Sequence, residues 1–141
     1  MKKFSLTTVI CVFLLFISNG IQAQNLPKGS VLGFHDAPVT LAAGVTMQQY
    51  ENFVKTKVLP AYEKNFMGTK SYLLKGKRGQ CTDCYAFVMI FPSDEVRNKF
   101  FNAEGGYTEA GQKAIDGMKT VLDEWNKLGT FTDRYTDWVV Q

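Results

Sequence analysis

Metal-ligating side chains are scarce in this chain: 141 residues include one histidine, His35, and three cysteines. A structural zinc site draws on four Cys or His ligands, and outside the N-terminal segment only Cys81, Cys84 and His35 remain. Neither a metal nor any other cofactor is therefore expected. The apolar run near the N-terminus, Val9 to Ile17, falls well short of the roughly 20 residues that span a bilayer. No phosphate-cradling glycine loop is present, because Gly76 to Gly79 lacks a following helix. No Ser-His-Asp arrangement can be read from spacing, and low-complexity tracts, long like-charge blocks and short repeats are missing too.

Lys2 and Lys3, the apolar run, and the polar stretch Ser18 to Gln22 ending in Ala23 together read as a secretory signal peptide. Cleavage after Ala23 would remove Cys11. Residues 1–23 are thus expected to be a signal peptide and residues 24–141 a single domain, about 118 residues being enough for one core. Loss of the signal takes two lysines and no acids, so 16 basic against 13 acidic residues become 14 against 13. That near balance argues against nucleic acid, which needs a dense basic face, and against adsorption to anionic lipid. A periplasmic or secreted protein, free of the membrane after processing, is the expectation.

Val31 to Leu41 is apolar and β-branched in pieces, with Pro38 in its middle, and predicts a strand with a break. Thr46 and Gln49 have the spacing of a capping box. Tyr50, Phe53, Val54, Val58, Ala61 and Tyr62 then recur at helical steps, with Pro60 expected to kink the last turns. Lys70 to Gly76 and Tyr85 to Phe91 read as strands. Ser93 caps a short helix through Phe101, and Thr108 starts another whose stripe runs through Ala114, Met118, Val121, Leu122, Trp125 and Leu128. Gly129 closes that helix, and Tyr135 to Val140 is a last short strand.

The order strand, helix, strand, strand, helix, strand predicts an α+β, ferredoxin-like βαββαβ sandwich: a four-stranded antiparallel sheet with two helices on one face. The strand from Tyr85 to Phe91 is apolar on both sides, and exposing several aromatics would forfeit several kcal/mol at roughly 25 cal/mol per Å². A second copy packed sheet to sheet is the simplest cover. In "LAAGVTMQQYENFV", "VLPAYEKNF", "YLLKGKRG" and "YAFVMIFPSDEVRNKFF", the chain resembles the dimeric α/β-barrel superfamily. The resemblance implies a sheet-to-sheet homodimer with a cavity between sheet and helices or inside the barrel. Relatives of this architecture include cofactor-free monooxygenases, haem-binding enzymes and small isomerases, so architecture is implied more firmly than chemistry.

Cys81 and Cys84 flank two residues ahead of a strand, whereas a thioredoxin-like pair sits at a helix start where the dipole lowers a thiol pKa. A turn that closes as a disulfide in an oxidising compartment is favoured, with reduced thiols as the alternative. His35 shares a strand face with Val31 and Gly33 and is the acid/base or haem-ligand candidate if that face lines the cavity. A lone strand histidine is ordinarily structural, however, and Asp36 should point the other way. Arg78 would grip a carboxylate at the cavity mouth, although a basic hairpin is ordinarily just solvated. Tyr50, Tyr62 and Tyr85 are candidates to turn hydroxyls toward a flat, apolar or aromatic ligand. The expected function is binding of a small apolar molecule. A cofactor-free monooxygenase or isomerase, or a non-catalytic dimerisation module, are the alternatives.

Overall fold

The computed structural model describes residues 26–82, 84–131 and 134–141; the expected signal peptide, its cleavage point and Cys11 lie outside the described residues. The first strand region is two pieces, β1 (Val31–Ala37) and β2 (Val39–Leu41), separated at Pro38, whose missing N–H cannot continue a ladder. Helix α1 (Met47–Phe53) starts at Thr46, whose Oγ1 accepts from the Gln49 N–H at 3.2 Å while Gln49 Oε1 accepts from the Thr46 N–H at 2.8 Å. Two otherwise unpaired helix-end donors are satisfied this way.

The kink expected at Pro60 takes the form of a π turn one turn earlier, over Val54–Val58, before α2 (Leu59–Asn65) continues. The Leu59 N–H donates to the Val54 carbonyl, five residues back. Pro60 has no N–H to offer, and its ring would crowd the carbonyl four residues back in a regular helix. The wider turn removes that conflict.

β3 (Lys70–Lys75) and β4 (Tyr85–Phe91) form a hairpin, followed by α3 (Asp94–Asn98) with Ser93 as its cap. The helix expected from Thr108 is divided at Met118 into α4 (Glu109–Gly117) and α5 (Lys119–Leu128). A β-carbon on Gly117 would overlap Asn65 Oδ1. Beyond α5, Gly129 begins a strand, β5 (Gly129–Phe131), which pairs antiparallel with β2 and was not expected. β6 (Arg134–Val139) ends the fold.

The main sheet has the order β3-β4-β1-β6, and each neighbouring pair is antiparallel. With its several helices this mixed α+β arrangement is consistent with a ferredoxin-like fold. Register sets the two faces. Val31, Gly33 and His35 pair across β4 with Phe91, Met89 and Phe87, and across β6 with Val139, Asp137 and Tyr135. Val31, Phe87, Met89 and Phe91 join Tyr50, Val54, Val58, Phe66 and Met118 in the core, so this face meets the helices. The opposite face carries Leu32, Phe34, Ala86, Val88, Tyr72, Leu74 and Trp138. Val88 is buried between its cross-strand partners Phe34 and Tyr72, yet Trp138 is 62% exposed, and Tyr72 and Leu74 stand in water as well. Among the described residues no helix is long and apolar enough to cross a membrane.

Candidate functional site

A cavity of about 260 Å³ lies between the helix-facing side of the sheet and the elements packed on it. Phe87, Met89 and His35 come from β4 and β1, Tyr62 from α2, Trp125 and Asn126 from α5, and Gly129 and Phe131 from β5. Phe101 and Tyr107 complete the wall; they form an isolated bridge that brackets the loop between α3 and α4. The walls are mainly aromatic: Tyr62 meets Phe87 at 4.7 Å between centroids, Phe87 meets Trp125 at 6.3 Å, and Phe101 meets Tyr107 at 5.4 Å. Such tilted pairs hold one another in place with about 0.5–1.5 kcal/mol each beyond burial. Among the described residues no Asp, Glu, Lys or Arg lines the cavity; the polar groups on its wall are one imidazole, two phenols, one amide and the indole N–H of Trp125.

Period-two alternation on β1 places His35 on this wall. Its ring sits 4.7 Å from that of Tyr135 and 6.3 Å, edge-on, from that of Phe87. Behind Tyr135 is a polar cluster. Tyr135 Oη donates to Asp137 Oδ1 at 2.5 Å, Arg97 Nε donates to Asp137 Oδ2 at 2.9 Å, and Arg97 Nη2 donates to Tyr135 Oη at 3.3 Å. Arg97 Nη1 also donates to the carbonyls of Phe101 and Asn102, at 3.2 and 2.7 Å, and so ties the loop that carries the cavity wall to β6. Arg97 is 6% exposed, a position a guanidinium holds only when its donors are satisfied. Burial would lower its pKa, but Tyr135 and Asp137 outweigh that and raise it. Burial and the Asp137 carboxylate push the Tyr135 phenol up. Gly33 leaves room for this cluster: a β-carbon there would lie 3.4 Å from Asp137 Oδ1 and 3.5 Å from the Tyr135 ring.

Of the residues singled out by sequence, the structure brings His35 and Tyr62 together at the cavity. Tyr50 is buried in the core beside Trp125 and does not line it; burial raises its pKa. Tyr85, also buried, donates to Glu51 Oε1 on α1. Burial first, then Glu51, raises its pKa. Arg78 is exposed in the β3–β4 hairpin and is not part of the cavity wall. Asp36 pairs instead with Arg134 at 2.7 Å. Cys81 and Cys84 are joined as a disulfide, with Cα atoms 5.6 Å apart. Sequence reasoning missed Arg97, Tyr135 and Asp137. One signal was present: in "RYTDWV" Tyr135 and Asp137 are two apart and so share a face with Val139.

No protein-family model and no curated protein matches the chain. Among solved structures, it is similar to a NIPSNAP family protein from Agrobacterium tumefaciens strain C58. The two share 10% identity at a TM-score of 0.53, over 78% of this chain and 91% of that one. At such identity the likeness is one of fold. It agrees with the four-stranded antiparallel sheet and its helices, and leaves the site to be read from this chain's own residues.

Proposed function

We propose that this is an exported protein that binds a small, neutral, largely apolar and flat molecule in the cavity between its sheet and helices. The carrying observation is that cavity: about 260 Å³, walled by Phe87, Phe101, Trp125 and Phe131, with no charged side chain lining it among the described residues. Pockets of this make-up bind by apolar burial and use a few polar groups to orient the ligand. His35, Tyr62, Tyr107 and Asn126 supply the orienting groups. A dimerisation module with its interior filled by its own side chains is disfavoured by the same open space. Export is supported by the N-terminal pattern and by the disulfide. Pairing through the outer sheet face is supported by Trp138, Tyr72 and Leu74, whose apolar surface a second copy would cover.

Titration with 2-naphthol tests the binding reading. In a Trp138→Phe background, Trp125 is the remaining tryptophan, and its fluorescence should be quenched saturably. 2-Naphthoate, which carries a charge, should bind at least about 10-fold more weakly because no Lys or Arg lines the cavity among the described residues. Quenching that never saturates, or equal binding of both probes, would refute the reading.

A second reading, a cofactor-free isomerase or monooxygenase, is favoured by one observation: His35 lines the cavity together with the phenols of Tyr62 and Tyr107. An imidazole, which can both accept and donate a proton, could move one on a bound ligand there. Solvent deuterium exchange into bound 2-naphthol, lost in His35→Gln while quenching persists, is the outcome that distinguishes catalysis from binding.

A further inference from the structure

The Cys81–Cys84 disulfide lies outside the cavity wall, and the binding reading gives it no task. Nor does the fold depend on it. The β3–β4 ladder runs to the Lys75–Tyr85 pair, and the Gly76 N–H donates to the Cys84 carbonyl at 2.8 Å, closing the hairpin without the sulfurs. Cross-linking so short a loop contributes about 2 kcal/mol at most through chain entropy. Accessibility differs between the two sulfur-bearing residues: Cys81 is exposed, whereas Cys84 is half-buried and packs over Gly76, where a β-carbon would lie 3.0 Å from Cys84 Sγ. Lys75, Gly76, Lys77 and Thr82 line a surface hollow beside the bridge. From Lys75 to Cys84 the sequence carries Lys75, Lys77 and Arg78 against one acid, Asp83.

We infer that Cys81–Cys84 is a thiol–disulfide exchange site that takes electrons from a thiol or dithiol reductant, with Cys81 as the sulfur attacked. Exposed disulfides are the labile ones, and cations nearby stabilise both the arriving and the departing thiolate. The reductant's thiolate forms a bond to Cys81 Sγ while the bridge breaks. The electron pair leaves on Cys84 Sγ, which takes a proton from solvent. The second thiolate of a dithiol then attacks its own partner sulfur in the mixed disulfide and releases Cys81 as a thiolate, which is protonated in turn. The dithiol is oxidised to a disulfide by two electrons, and the Cys81–Cys84 pair is reduced by the same two. The backbone ladder of the hairpin does not pass through the sulfurs, so the pair can be reduced in the folded state.

Exposure of the full processed protein to dithiothreitol without denaturant, followed by iodoacetamide and mass spectrometry, tests this. Both cysteines should be alkylated with the circular dichroism spectrum unchanged; a bridge that resists until denaturant is added, or whose reduction unfolds the protein, would overturn the inference. Brief reaction with reduced glutathione, quenched in acid and mapped by peptide, should find glutathione on Cys81 about 10-fold more often than on Cys84. An even split or a preference for Cys84 would overturn the assigned direction. Lys77→Gln combined with Arg78→Gln should slow the glutathione reaction about 3- to 10-fold at low ionic strength, and an unchanged rate would exclude the role given to the cations.

Discussion

The imidazole of His35 packs 4.7 Å from the ring of Tyr135, and the hydroxyl of that tyrosine donates to Asp137, which is itself held by the buried Arg97. A residue on the cavity wall is thereby backed by an ion pair one layer behind it. Breaking a buried pair from one side leaves the other charge stranded, at a cost of about 3–5 kcal/mol. Asp137 is partly accessible, with 26% of its side chain exposed, so Asp137→Ala should fall at the lower end, near 3 kcal/mol. Equilibrium urea unfolding checks this; a loss under about 1 kcal/mol would mean that water solvates the guanidinium once the carboxylate is gone.

Gly111 should reverse the usual sign of a helical Gly→Ala substitution. In an exposed helix interior that change gains roughly 0.5–1 kcal/mol. At Gly111 on α4, however, the added β-carbon would overlap the Phe100 carbonyl oxygen and lie 3.2 Å from Tyr107 Cδ1. Backbone on backbone cannot yield as a side chain can, so Gly111→Ala should destabilise by about 1–3 kcal/mol. Thermal unfolding decides the sign. Because Tyr107 borders the cavity, the same variant should also weaken 2-naphthol binding.

Acid should weaken the fold through two carboxylates. The Tyr85 hydroxyl, then Lys55, holds Glu51 below its ordinary value of 4.5; the Ser71 backbone N–H does the same for Glu63, aided by Lys70. A lowered folded-state pKa means that the unfolded chain takes up protons first as the pH falls. The stabilisation is complete above about pH 4.5 and is lost as the pH drops through the folded-state values. Glu63→Gln keeps an oxygen for the Ser71 N–H but does not ionise, so its stability should fall less steeply with acid than that of the parent. Denaturation midpoints across that range check this, and parallel curves would rule it out.

The outer sheet face makes a separate prediction. If a second copy covers Trp138, Tyr72 and Leu74, then Trp138→Glu should convert a dimer to a monomer without unfolding it, since Trp138 is 62% exposed in the single chain. Sedimentation equilibrium of the processed protein at micromolar concentration is the measurement. A parent protein that is already monomeric would refute sheet-to-sheet pairing.

Helix starts were legible because a cap is a bargain among residues three apart: Thr46 with Gln49, Ser93 with Val96, Thr108 with Gly111. The strand Tyr85–Phe91 was legible because its apolar residues do not alternate with polar ones, and six of its seven residues are buried. β5 was not legible. Three residues carry no periodicity, and Gly129 looked like a helix terminator, whereas its bare Cα permits the backbone to approach Thr40 O to within 2.7 Å of where a β-carbon would stand. Tyr50 and Tyr62 lie on one helical stripe, yet only Tyr62 reaches the cavity, because the cavity's position depends on what α5 and the Phe101–Tyr107 loop place opposite.

The sequence by itself determined most of the elements, the two-sided apolar strand, the sharing of one strand face by Val31, Gly33 and His35, and the spacing that lets Cys81 meet Cys84. All of these follow from interactions within a few residues or from the alternation of side chains along a strand. Only the tertiary structure decided that Arg97 should be buried against Asp137, 40 residues away, that Tyr135 should stand behind His35, and that Arg78 should face solvent. Such partners are set by strand register and by how helices settle on the sheet, and nothing in the local order of residues encodes which distant group will neutralise a buried charge.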